Sequence, residues 1–150
     1  MRDNLVGGAV AGVIGGLAEM ATGFLLIITG LARVTTLHAA IRFMTPTGAE
    51  PGPLTIVSGI IHHLTMSAVL GVVLLYILKL TGTDYYLLKG FGFALVVYVF
   101  LTRGLGVFFV PRDLLVPDAL TQFAGIISHV VGGLVTAFVV ASFSPEQLRS

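Results

Sequence analysis

"LTIVSGIIHHLTMSAVLGVVLLYILKL" runs from Leu54 to Leu80 and carries no charged side chain before Lys79, apart from what its two histidines hold. A helix needs about 20 consecutive apolar residues to cross the hydrocarbon core of a bilayer, and this stretch exceeds that. It cannot be a barrel strand, which would alternate apolar and polar residues over about ten positions. A helix pairs all its own backbone N–H and C=O groups, as lipid demands. The stretch therefore predicts a membrane-spanning helix.

Three further runs read the same way: Leu5–Ala32, about Tyr86–Val110 and about Asp118–Phe143. The composition agrees with them. The 150 residues are 56% hydrophobic and 10% charged, against about 25% charged in a soluble domain, so there is too little polar surface to cover the chain in water. The expected fold class is an all-α integral membrane protein. It is a four-transmembrane-helix bundle in a single domain over residues 1–150, with spans at about 5–32, 54–80, 86–110 and 118–143 and the lipid bilayer as its first partner. A net charge of +1 without a basic cluster excludes nucleic acid as a partner. The absence of cysteine excludes disulfides, thiolate metal sites and cysteine nucleophiles. The first run is longer than the roughly 7–15 apolar residues of a signal peptide, which makes it a retained span.

The links alternate in length. "KLTGTD" (Lys79–Asp84) is short, whereas the other two carry Pro46, Pro51 and Pro53, and Pro111 and Pro117. Within the first long link, "LHAAIRFM" sets Leu37, Ile41 and Met44 on one helical face, which predicts a short helix lying at the membrane surface. Arg2, Lys79, Lys89 and Arg149 fall on one side, and Arg33, Arg42 and Arg112 on the other. That balance leans towards cytoplasmic termini.

The chain also holds an internal match. "GIIHHL" (Gly59–Leu64) aligns without gaps on "GIISHV" (Gly125–Val130), with His63 on His129. Gly59, His63, Ser67 and Gly71 are spaced by four, as are Gly125, His129, Gly133 and Ala137, so each set shares one helix face. "LVGG" (Leu5–Gly8) aligns more weakly on "LLKG" (Leu87–Gly90). Two helical hairpins of the same orientation would produce this pattern. Convergence of apolar sequence would also produce it.

Charge at mid-membrane costs about 2.5–3.5 kcal/mol on insertion scales, and the spans hold few polar groups: Glu19, His62, His63, Arg103 and His129. At 1.5 Å per residue, Glu19 lies roughly 20 Å and Arg103 roughly 12 Å from the long-link ends of their runs, His63 roughly 15 Å and His129 roughly 18 Å. All share the half nearer the long links. Two readings follow for the charged residues. Glu19 and Arg103 form a structural ion pair, or Arg103 anchors an anionic group, its fork suiting a carboxylate, with Glu19 as counter-ion or proton carrier.

Two readings follow for the histidines as well. They hydrogen-bond between helices, or they face each other and clamp a haem iron. The sharper expectation is one haem b held by His63 and His129. The small residues around them would make room for the macrocycle, Arg103 would pair with a propionate, and Glu19 would stand beside it. The logic resembles b-type membrane cytochromes without their two histidines per helix. His62 points about 100° away from His63 and is secondary, and His38 is expected to be exposed. No Glu-x-x-His or His-Glu-x-x-His run supplies a zinc or di-metal site.

Gly8, Gly12 and Gly16 form a further stripe of small residues, which suits close packing within the bundle or a face for a second copy. The Gly-rich first helix, "IIHHLTMSAVLGVVLLY" and "FAGIISHVVGGLVTAF" together resemble small bacterial inner-membrane proteins of the YagU type. That resemblance implies a bacterial inner-membrane location and no defined activity. Three functions stay open: a haem-binding electron-transfer subunit, a small proton-coupled carrier or channel using Glu19, Arg103 and the histidines, and a non-catalytic accessory subunit of a homo-oligomer or larger membrane complex. No nucleophile–base constellation is visible, so an enzyme acting on its own is not expected.

Overall fold

The computed structural model describes residues 3–46, 48–105 and 118–142, with the backbone alone at 102, 103 and 105. The described residues are helical and contain no strand. The elements are α1 (Asn4–Ile28), α2 (Thr36–Phe43), α3 (Pro53–Thr81), α4 (Tyr86–Val97), which runs on as a π-helical segment over Tyr98–Leu105, and α5 (Ala119–Ala141). Helices α1, α3 and α5 are each long and apolar enough to cross a membrane, and a shorter apolar stretch covers Tyr86–Leu101.

Local chemistry sets the ends. The Asp3 carboxylate caps α1 by accepting from Leu5 N at 2.9 Å and Val6 N at 3.2 Å. Helix α1 stops at Ile28, short of the Ala32 expected from hydropathy, because the Thr29 hydroxyl donates to the Leu25 carbonyl and Gly30 takes φ +76°. Pro53 opens α3 at a position whose N–H would lack a partner anyway, and Gly82 closes it at φ +82°. Lys89 reaches back from α4 and donates to the Thr81 and Gly82 carbonyls, at 3.1 and 2.8 Å. That satisfies acceptors left over at the end of α3. Asp118 caps α5 by accepting from the Thr121 N–H at 3.1 Å and hydroxyl at 2.9 Å.

Helix α1 packs along its length against both α3 and α5, and α4 packs against α5. Small residues allow this. A Cβ on Gly8 would stand 2.7 Å from Val72 Cα, and one on Gly12 would run into the Ser67 carbonyl. On the other face of α1, a Cβ on Gly15 would strike the Thr136 hydroxyl. The stripe of Gly8, Gly12 and Gly16 thus packs inside the bundle against α3. Around this contact Ala11, Leu74, Leu75, Leu78, Ala137 and Val140 form a buried apolar core. The outer faces stay apolar, with Leu54, Phe24 and Phe123 well exposed, as suits contact with lipid.

Helix α2 departs from the expectation of a surface-lying helix. It packs along the first half of α3, with Ile41 against Gly59 and the Phe43 ring stacked on His62 at 5.1 Å. Its opening residues turn back into the bundle, where Thr35 abuts Gly23. His38 works at the same end: its Nδ1 accepts from the Thr35 backbone N–H at 3.2 Å.

Two outcomes follow. Gly12→Ala should lower the stability of the detergent-solubilised protein by about 1–3 kcal/mol, because a methyl group there meets backbone. Gly92→Ala, where nothing lies within 4 Å, should leave it unchanged or raise it by up to about 1 kcal/mol. Thermal melts of the two variants side by side check this. The second outcome concerns pH. The Thr121 backbone N–H, then its hydroxyl, hold the Asp118 carboxyl below its ordinary value of 3.8. A depressed carboxyl contributes stability above its unfolded value and loses it as pH falls through the folded one. Melts should therefore drop on acidification below about pH 4, and Asp118→Asn should show less of that drop.

Candidate functional site

Glu19 sits on the face of α1 turned towards α5. Gly132 makes room for it, since a Cβ there would lie 3.0 Å from Glu19 Cβ. One carboxylate oxygen, Oε1, accepts the Thr36 hydroxyl at 2.7 Å and lies 3.4 Å from His129 Nδ1. The Glu19 side chain is 13% exposed and that of His129 10%, so water contributes little screening. Thr36 is the first residue of α2, so the start of that helix lies beside the carboxylate.

His129 Nδ1 lies 3.0 Å from the Gly125 carbonyl as well as near Glu19. With two acceptors before it, Nδ1 carries a proton. The Tyr98 ring stands edge-on to the imidazole at 5.0 Å, and its hydroxyl donates to the Gln122 carbonyl at 3.1 Å. From α3, His63 lies beside the Gly16 backbone and within electrostatic reach of Glu19 and His129. Its Nε2 is buried and has no hydrogen-bond partner among the described residues.

Two cavities flank this cluster along the bundle. One of about 40 Å³ is bordered by Gly12, Gly15, Glu19, Ser67, His129 and Thr136. The other, about 10 Å³, lies towards the ends of α1 and α5 nearer the long links and is bordered by Gly23, Thr35, Thr36 and Ser128. A water needs about 10–15 Å³.

The structure therefore brings together three of the residues expected from the sequence, Glu19, His63 and His129. His62 turns away onto Phe43, as its angle to His63 requires. The expected Glu19–Arg103 pairing falls outside the described residues, because only the backbone of Arg103 is described, within the π-helical segment. The matched stripes have different neighbours: Gly71 and Ser67 face α1, while Gly125 faces Tyr98 and Gly133 faces Ala94 of α4. Thr36 was not expected. It lies 17 residues from Glu19 in sequence, and no periodic pattern connects positions joined by a reversal of the chain.

A haem clamp needs an open slot between its two imidazoles. Here α1 packs on both α3 and α5, which touch one another at few places, and Glu19 stands near both rings. The cavity beside His129 has room for a few waters, not for a macrocycle. Among the described residues, two imidazoles suit a haem iron, but the packing around them leaves no room for the macrocycle.

No family model, no curated protein and no solved structure matches this chain.

The packing carries a spectroscopic consequence. Protein purified from haem-supplied cells should show no Soret band and no change on reduction. Sharp bands lost in both His63→Ala and His129→Ala would overturn the packing argument.

Proposed function

We propose that the chain is a four-span protein of a bacterial inner membrane, akin to the YagU type, in which the Glu19–His129 pair binds and releases a proton as part of a small proton-coupled carrier or channel. The fourth span is α4 with its π-helical continuation. Its apolar length over Tyr86–Leu101 supports that reading. The cationic residues lean towards cytoplasmic termini.

The four spans form two repeated hairpins. The sequence match sets Gly8 on Gly90, Ser67 on Gly133 and Gly71 on Ala137. The contacts run in parallel: Gly8 meets Gly71 as Gly90 meets Ala137, and Gly12 meets Ser67 as Ala94 meets Gly133. Small residues meeting in the same register in both hairpins favour a repeat over convergence of apolar sequence.

The observation that carries the functional reading is the placement of Glu19. A buried carboxylate has an imidazole and a hydroxyl at one oxygen and borders a cavity. A carboxylate in a spanning segment is costly, and such groups mark ion and proton paths. A structural lock would need the pairing but no space beside it. The cavity therefore favours exchange over a purely structural pair.

The test is infrared spectroscopy of the protein in lipid during acidification. The expected result is a protonated-carboxyl band that grows as pH falls and is missing in Glu19→Gln. A Glu19→Gln spectrum identical to that of the wild type would sink the reading. It would leave the pair as a lock in an accessory subunit.

A further inference from the structure

We infer that the species this site handles is the proton alone, entering from the long-link side through the Thr36 hydroxyl. This inference rests on the functional reading above and narrows it to a substrate and a route. Three observations carry it.

The first is size. Cavities of about 40 and 10 Å³ flank the pair. They suit a few waters and a single water, whereas an organic solute needs a pocket of about 300 Å³ or more. A proton needs no cavity of its own, since it moves along hydrogen bonds.

The second is order along the bundle. The smaller cavity is bordered by Gly23 of α1 and Ser128 of α5, the larger by Gly12 to Glu19 of α1 and His129 to Thr136 of α5. Between them stand Thr36, which borders the small cavity, and Glu19, which borders the large one. The 2.7 Å hydrogen bond from Thr36 to Glu19 joins the two spaces.

The third is chemistry. A threonine hydroxyl both donates and accepts. A protonated water in the small cavity gives a proton to Thr36 Oγ1, and the proton already on that hydroxyl passes to Glu19 Oε1. One O–H bond forms on Thr36 as another breaks, and the net change is a neutral carboxylic acid at Glu19. The acid then releases its proton to water in the large cavity and returns to the carboxylate. His129 keeps its Nδ1 proton throughout and donates it to the charged form. Among the described residues, the groups facing Glu19 are Thr36 from α2, His129 from α5 and His63 from α3. None of these is an acid that would compete with it for the proton.

The experiment uses the full chain in sealed vesicles containing a pH-sensitive dye, with a potassium gradient and an ionophore as driving force. Wild-type protein should acidify the lumen faster than empty vesicles. Glu19→Gln should abolish that excess. Thr36→Val, which keeps the shape and removes the hydroxyl, should slow it by about tenfold or more while thermal melts show it folded. Flux of sodium or of small amino acids should not exceed that of empty vesicles.

Vesicles no faster than empty ones, or Thr36→Val as fast as wild type, would overturn the route. So would saturable uptake of another solute. If the Glu19 carboxyl band still responds to pH in those cases, the protonatable site stands and only the route falls. A band unresponsive to pH removes both.

Discussion

Everything in this bundle depends on how closely α1 approaches its neighbours. Helices in lipid gain little from hiding apolar surface, so dispersion contacts and short interhelical distances hold them together. Helix α1 is wedged between two partners and must present small residues on two faces. Gly8 and Gly12 meet α3, and Gly15 and Gly23 meet α5 and the turn before α2. Among the described residues, α1 fills the space between α3 and α5. It also carries Glu19 into the middle of the packing, because Glu19 lies four residues from both Gly15 and Gly23 on the face turned to α5.

A carboxylate placed there must find hydrogen-bond donors, and the three long helices offer mainly imidazoles. The chain supplies the remaining donor by reversing after Ile28. Gly30 turns it, the Arg33 backbone N–H reaches the Thr121 hydroxyl at 3.1 Å, and Thr36 arrives beside Glu19. At 1.5 Å per residue, Glu19 lies about 14 Å before the end of α1, so the reversal is deep. Irregular backbone is tolerated at such depth when it is buried in protein; here Ala32 is buried and Thr35 abuts Gly23, while Gly30, Leu31 and Arg33 stay exposed.

The helices were legible in the sequence for a direct physical reason. The run Leu54–Leu80 predicts α3 to within a residue at each end, Pro53–Thr81, because an uninterrupted apolar run in lipid has only the helix available to it. His62 was legible too, since its angle to His63 follows from helix geometry alone. The end of α1 was not. Hydropathy continues through Leu31, and the stop comes from backbone conformation at Gly30. The pattern of Leu37, Ile41 and Met44 is amphipathic whether α2 lies on a membrane or against another helix. Only Gly59, set to receive Ile41, distinguishes the two. The π-helical turn at Tyr98–Leu105 has no hydropathy signal at all.

The repeat reading has a consequence for how such a site comes to exist. If two like hairpins are superposed through Gly8 on Gly90, Gly16 falls on Tyr98 and Glu19 on Leu101. The first hairpin keeps a glycine beside its histidine and an acid one turn on. The second has an aromatic ring in the place of that glycine and a leucine in the place of the acid. On that superposition one acid pairs with His129 and lies within electrostatic reach of His63, and the ring of Tyr98 stands next to His129 where the Gly16 backbone stands next to His63. A pure lock would gain most from an acid in each hairpin, since each would then satisfy its own imidazole. A single acid leaves His63 with the Gly16 backbone as its neighbour and its Nε2 without a partner among the described residues. On the proposed reading, an uneven match of acids to imidazoles suits a site that gives up the proton it binds.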